Sequence, residues 1–184
     1  MCPAPGLMTV NDYFRTPEAL TPSELIYGRL RVADAPTARH QSAVFQLALA
    51  LNRHVRERAL GQIWLSPLDV VLDEFRSLIV QPDLMFISTG REWIVRECIR
   101  GAPDLVIEVL SPNPRIGATE ERVGWFAEHG VRECWLFHQD RRDLTVIGFA
   151  EREVRDRIVF RRDAPIRSRV LPEFSATLDE MLQR

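Results

Sequence analysis

The hydrophobic pattern of this chain changes period several times, and each change marks an element. Ala102-Pro103-Asp104-Leu105-Val106-Ile107-Glu108-Val109-Leu110-Ser111-Pro112 is an apolar run closed by Ser-Pro, the pattern of a buried strand. Alternate strand residues share a face, so Asp104, Val106 and Glu108 point one way and Leu105, Ile107 and Val109 the other. Leu78 to Ile87 is a second apolar strand with a single acid, Asp83. Val44, Leu47, Ala48, Leu51 and Val55 recur instead at helical spacing. They predict a long helix from Thr37 to Arg58, capped by Thr37 and stopped near Gly61.

The remaining elements follow in order. Residues 1–8 form a loose leader, and Thr9 to Phe14 a short helix with Thr9 and Asp12 in a capping box. Glu24 to Val32 alternates and predicts a hairpin turning at Tyr27-Gly28, with Glu24 an edge charge at its entrance. Gln62 to Leu72 is a strand interrupted at Pro67, and the turn 73–77 leads antiparallel into the Asp83 strand. Residues 89–100 form a charged loop with a short helix near Trp93.

After the Glu108 strand, the spacing predicts a helix from Gly117 to Glu128, with Val123, Phe126 and Ala127 inward. The strand 131–137 completes a βαβ unit, whose strands are parallel. Leu144 to Phe149 is an antiparallel edge strand, Ile158 to Phe160 a short strand beside it, and Ala176 to Leu182 a terminal helix. Leu171 to Phe174 closes the sheet region. The whole is one α/β (α+β) domain over residues 9–184 with a mixed sheet.

Composition changes this picture little. The chain has 184 residues, 46% hydrophobic and 27% charged, with a net charge of −2. That is ordinary for one soluble domain and does not advertise nucleic-acid binding, although a local basic groove is compatible with it. No apolar run approaches the roughly 18 residues that span a bilayer, and there is no signal-peptide pattern, so the cytoplasm is the expected compartment. Cys2, Cys98 and Cys134 are too scattered for a zinc site or a disulfide framework. All 24 basic residues are Arg, so no step can use a lysine amine.

The chemistry lies in the two acidic strands. A carboxylate on a core strand is costly without compensation. Asp83 and Glu108 on separate buried strands suit a hard divalent cation with oxygen ligands. A plainer reading has Asp83 capping a bulge at Pro82 and Glu108 paired with an Arg. Arg39, His40 and Gln41 lie in the first turn of the long helix, where His40 and Gln41 are candidates to line a cleft.

Taken in order, Glu24-Leu25-Ile26-Tyr27-Gly28, His40, Ser66-Pro67-Leu68-Asp69-Val70, Val80-Gln81-Pro82-Asp83-Leu84, the Asp104 to Pro112 run, Gly130-Val131, Glu133-Cys134-Trp135-Leu136 and Val170-Leu171-Pro172 resemble one family. This is the Uma family of bacterial restriction-type endonucleases, within the PD-(D/E)XK nuclease superfamily. The resemblance covers roughly residues 9–182. It implies a restriction-endonuclease-like fold, a mixed central β-sheet flanked by helices with the site at the strand ends. It also implies Mg²⁺ (or Mn²⁺) held by Asp83, Glu108 and the carbonyl of Val109, with Glu24 a further acid near the metal. DNA is the implied substrate, and by analogy with enzymes that cut two strands the chain is expected to form a homodimer.

The resemblance is broken at one place. In the (D/E)-x-K frame the Lys position is Leu110, and the family usually supplies a Lys from the following helix. Its Asp, Lys and Tyr fall here on Ala118, Arg122 and Phe126. Those positions share a helix face, so Arg122 can reach a phosphate, but it cannot act as a base. Two readings follow: a metal-dependent endonuclease with Asp83, Glu108, Arg122 and Glu24 as its working residues, or a weak or inactive relative that binds nucleic acid or a protein.

Overall fold

The structure is a computed structural model that describes residues 6–17, 21–32, 35–110 and 119–182. Helix α1 (Val10–Arg15) has the expected capping box: the Thr9 hydroxyl accepts from the Asp12 amide, and the Asp12 carboxylate accepts from the Thr9 amide. The leader is not wholly loose. Met8 packs on the core beside α1, and its amide donates to the Gly28 carbonyl. Gly28 has φ +81°, and a Cβ there would meet the Met8 carbonyl at 3.0 Å, so this approach requires glycine.

Strands β1 (Ser23–Ile26) and β2 (Arg29–Val32) form the hairpin, turning at Tyr27-Gly28. Helix α2 (Ala38–Glu57) follows, with Thr37 accepting from the His40 amide at its start. Its buried residues Val44, Leu47, Ala48, Leu51 and Val55 are those that the helical spacing singles out, joined by Ala43. Truncating Leu47 or Leu51, both fully buried, would cost about 2–5 kcal/mol.

The strands then divide between two mixed sheets, which the apolar pattern does not announce. The run 62–72 becomes β3 (Gly61–Leu65) and β4 (Val70–Asp73), separated at Pro67. The run 78–87, expected as one strand, is likewise two: β5 (Leu78–Val80) and β6 (Leu84–Ser88), separated at Gln81-Pro82-Asp83. Pro82 has no N–H to give a ladder, so the chain changes sheet there. Next come a 3₁₀ turn at Glu92–Ile94, β7 (Ile99–Arg100), β8 (Leu105–Leu110), α3 (Thr119–Glu128) and β9 (Glu133–His138). The βαβ reading holds, since β8 and β9 pair in parallel.

Two expectations near the C-terminus need correction. Strand β10 (Asp143–Ala150) is internal, paired with β9 on one side and β11 (Glu153–Arg161) on the other; the long β11 is the edge. Exposed Ile158 and Val159, interleaved with Arg155, Arg157 and Arg161, hid its length. Leu171 and Phe174 seal the core from a loop, and α4 (Leu178–Met181) follows, capped by Thr177.

The first sheet has the order β2-β1-β5-β4-β7 and the second β11-β10-β9-β8-β6-β3. One face of the second sheet, including Leu105, Ile107 and Val109, packs on α2 and α4. Its other face, with Val106, Cys134 and Leu136, packs on α3 and the first sheet. The alternation along β8 is thus real, and Glu108 lies on the α3 side. Among the described residues, no helix is long and apolar enough to cross a membrane.

Candidate active site

The site forms where the chain crosses between the sheets. Strands β6 and β8 pair with Leu84 opposite Ile107, so continuing that register would set Pro82 opposite Val109. Proline and the sheet change end the ladder, and the Asp83 side chain takes over. Its Oδ2 accepts the Val109 amide N–H at 2.7 Å, which ties Asp83 to the residue after Glu108. The same oxygen lies 3.2 Å from His40 Nε2, which reaches over from the first turn of α2. Asp83 and Glu108, distant in sequence, are thereby brought together with His40.

Glu108 faces α3 and meets Arg122. The guanidinium donates to one carboxylate oxygen, Oε1, from Nη2 at 2.5 Å and from Nε at 3.2 Å. Its remaining edge donates from Nη1 to Glu24 Oε2 at 2.7 Å. Glu24 is therefore no edge charge: its side chain is 4% exposed, against 12% for Arg122 and 14% for Glu108. Phe126, one helical turn on, is fully buried, with its ring centroid 5.7 Å from the Arg122 guanidinium carbon.

Three residues without an assigned role support this cluster. The Gln81 amide N–H donates to Glu24 Oε1 at 2.7 Å, and the Gln81 side-chain Nε2 donates to Asp69 Oδ1 at 2.9 Å. The Tyr13 hydroxyl lies 3.0 Å from that same Asp69 oxygen. A chain of polar contacts thus runs from α1 through Asp69 and Gln81 to Glu24. The sequence signal was slight: Gln81 and Asp69 flank the proline breaks within two of the phrases that carry the resemblance, and Tyr13 lies on the buried face of α1.

The electrostatics follow from burial and charge count. Burial pushes the Glu108 carboxyl up to about 7, against the opposing pull of Arg122 and with Asp83 and Glu24 adding to the rise. Arg122 is held protonated by its two carboxylates despite its burial. His40 is raised above its ordinary value, chiefly by its hydrogen bond to Asp83. With Glu108 ionised and His40 neutral, Glu24, Asp83 and Glu108 against Arg122 leave an excess of two negative charges.

That excess, with oxygen donors only, suits a hard divalent cation. Among the described residues, Asp83 Oδ1 and Glu108 Oε2 make no hydrogen bond, so each carboxylate keeps one oxygen to offer. No group of three or more His, Cys, Asp or Glu side chains among those residues is placed to hold a metal by itself. Backbone oxygen and water would have to complete the coordination.

Other candidates are placed elsewhere. Gln41 is exposed on α2 and makes no side-chain hydrogen bond to the cluster. Arg39 turns to Asp140 and the Gln139 carbonyl. Ala118 and the Ser111-Pro112-Asn113-Pro114 segment lie outside the described residues. Cys98 and Cys134 are buried and free. Asp104, on the Glu108 face at the other end of β8, takes bonds from Ser88 and ion-pairs with Arg91 and Arg132.

Comparison with known proteins agrees with this architecture. The family model described as "Uma2: Putative restriction endonuclease" matches residues 10–179, and the chain belongs to that family. A crystal structure of a putative nuclease of DUF820 from Anabaena variabilis ATCC 29413 is similar, with a TM-score of 0.79 at 19% identity. The match covers 96% of this chain and 98% of that one, so the two share a fold. No curated protein matches the chain.

Proposed function

We propose that this chain is a metal-dependent endonuclease that hydrolyses DNA phosphodiester bonds at Asp83 and Glu108. The observation that carries the reading is the convergence of these two acids, through the Val109 amide, beside a buried arginine. When bound, a Mg²⁺ or Mn²⁺ ion would acidify a water and neutralise charge on the scissile phosphate. Asp83, Glu108 and the Val109 carbonyl would hold it.

The side chains around these ligands have separable tasks. His40 and the Val109 amide fix the orientation of Asp83, leaving Oδ1 to bind. Arg122 fixes Glu108 by one oxygen and is itself anchored by Glu24. Its charge stabilises negative charge near the phosphate, and it neither donates nor takes a proton at working pH. Glu24 positions Arg122 and is a further acid beside the metal. The chain has no lysine to accept the water proton, so that proton goes to solvent, a phosphate oxygen or a carboxylate of the site.

Cutting both strands of a duplex needs two such sites, so a homodimer in the cytoplasm is part of the proposal. The test is a labelled duplex and a labelled single strand, each incubated with Mg²⁺ and with EDTA. Metal-dependent cleavage lost in Asp83→Asn supports the reading. Binding of either strand without cleavage at any metal concentration would favour a nucleic-acid-binding relative instead, a reading that Arg122 in the lysine position supports.

A further inference from the structure

We propose that Arg122 acts as a built-in cation between Glu24 and Glu108, so that each site takes a single divalent ion. The inference rests on the metal-dependent reading above and concerns how many ions the cleft holds.

Glu24 and Glu108 come from different sheets and are both nearly buried. Two such carboxylates facing one another without a partner are unstable, and a shared cation is the usual remedy. Here the guanidinium provides it, 2.7 Å from one acid and 2.5 Å from the other. Its planar fork lets one residue bind both acids at once, which a single ammonium would do less well.

The oxygens tell the same story. Glu24 Oε1 is taken by the Gln81 amide and Oε2 by Arg122. Glu108 Oε1 takes both remaining Arg122 bonds, and Asp83 Oδ2 takes Val109 and His40. Among the described residues, Asp83 Oδ1 and Glu108 Oε2 are left. One divalent ion there cancels the excess of two negative charges. A second ion would have to displace Arg122 from Glu24, and two divalent ions together with Arg122 would exceed the charge of the three carboxylates by two.

Arg122 is then a positioning residue whose removal creates a metal position. The experiment counts Mn²⁺ bound per chain by calorimetric titration and electron paramagnetic resonance, in wild type, Arg122→Gln and Glu24→Gln. One ion in wild type, still one in Glu24→Gln, and a second in Arg122→Gln are the expected results. Arg122→Gln should also gain more thermal stability from Mn²⁺ than wild type does. Where Arg122→Gln does not fold, Glu24→Gln decides: a count falling from two to one would show that Glu24 already holds a metal and would overturn the proposal. Two ions in wild type, or no second ion in a folded Arg122→Gln, would also overturn it while leaving metal dependence intact. No ion bound by wild type would instead sink the metal-dependent reading, and this inference with it.

Discussion

Asp83 Oδ2 accepts the Val109 amide at 2.7 Å, so the acid that ends one strand is anchored to the residue after the acid on another. That bond needs only an acceptor, whereas cation binding needs the charge. Asp83→Asn should therefore keep the fold, because the amide oxygen can still accept from Val109. It should lose divalent-cation affinity by about tenfold or more, since ligand charge sets affinity in oxygen sites. Paired thermal melts and Mn²⁺ titrations separate the two effects, and a variant that unfolds outright would contradict this division of roles.

Glu108 gives the proposed metal site a pH dependence. Its carboxyl is pushed up to about 7 by burial, so in the metal-free protein it carries a proton over much of the acidic range. An incoming cation must displace that proton. Apparent Mn²⁺ affinity should rise with pH up to about 7 and level off above it, with roughly one proton released per ion on the acid side. Calorimetry in buffers of different ionisation enthalpy reads the proton directly. An affinity flat from pH 5 to about 7 would show that Glu108 is already ionised there.

His40 holds Asp83 through Nε2 at 3.2 Å, while its Nδ1 is buried without a partner. It orients a proposed ligand and touches nothing that reacts. His40→Ala should weaken cation binding about 10–100-fold, the usual effect of losing an outer partner of a metal ligand. His40→Gln should restore part of the loss, because its amide nitrogen can occupy the place of Nε2 and donate to Asp83. Stability in the absence of metal should change much less than affinity does.

Asp104 is a structural acid, although it shares a strand face with Glu108. It is fully buried and accepts the Ser88 amide and hydroxyl, both at 2.9 Å, and ion-pairs with Arg91 and Arg132. Asp104→Ala should cost about 1–3 kcal/mol, measured by urea denaturation, because it leaves the half-buried Ser88 amide and hydroxyl without their acceptor. These partners hold its carboxyl below the ordinary value of 3.8, against the effect of burial. A depressed folded pKa contributes stability that is present above the unfolded value and lost as pH falls through the folded one. Wild type should thus lose stability below the ordinary carboxylate value of 3.8, and Asp104→Asn should show less of that acid dependence.

The contrast between Asp104 and Glu108 shows how far the sequence could be followed. Periodicity located α2, the βαβ unit and the alternating faces of β8, because each is a local property of the chain. The capping box at Thr9 is local too. Alternation alone cannot say which of two acids on one strand face meets helix α3 and which meets Arg91 and Arg132. Nor could it show that Pro67 and Pro82 pass the chain from one sheet to another, because a proline break looks the same whether or not the strand resumes beside its old neighbours. Glu24 looked like an edge charge because it stands at the entrance of a short hairpin, and only the fold brings Arg122 to it.

The decisive measurement is nicking of supercoiled plasmid by the purified protein with Mg²⁺ or Mn²⁺, beside Glu108→Ala and Arg122→Lys. Wild type should nick only with metal, and Glu108→Ala should lower the rate by at least about a hundredfold, since it removes a proposed ligand of the ion that would activate the water. Arg122→Lys should nick faster than wild type if a lysine at that position also moves a proton, and no faster if its role is electrostatic. Nicking that persists in Glu108→Ala, or that does not need metal, would contradict the assignment of this site. Silence from wild type and Arg122→Lys alike on every nucleic acid would contradict nuclease activity itself.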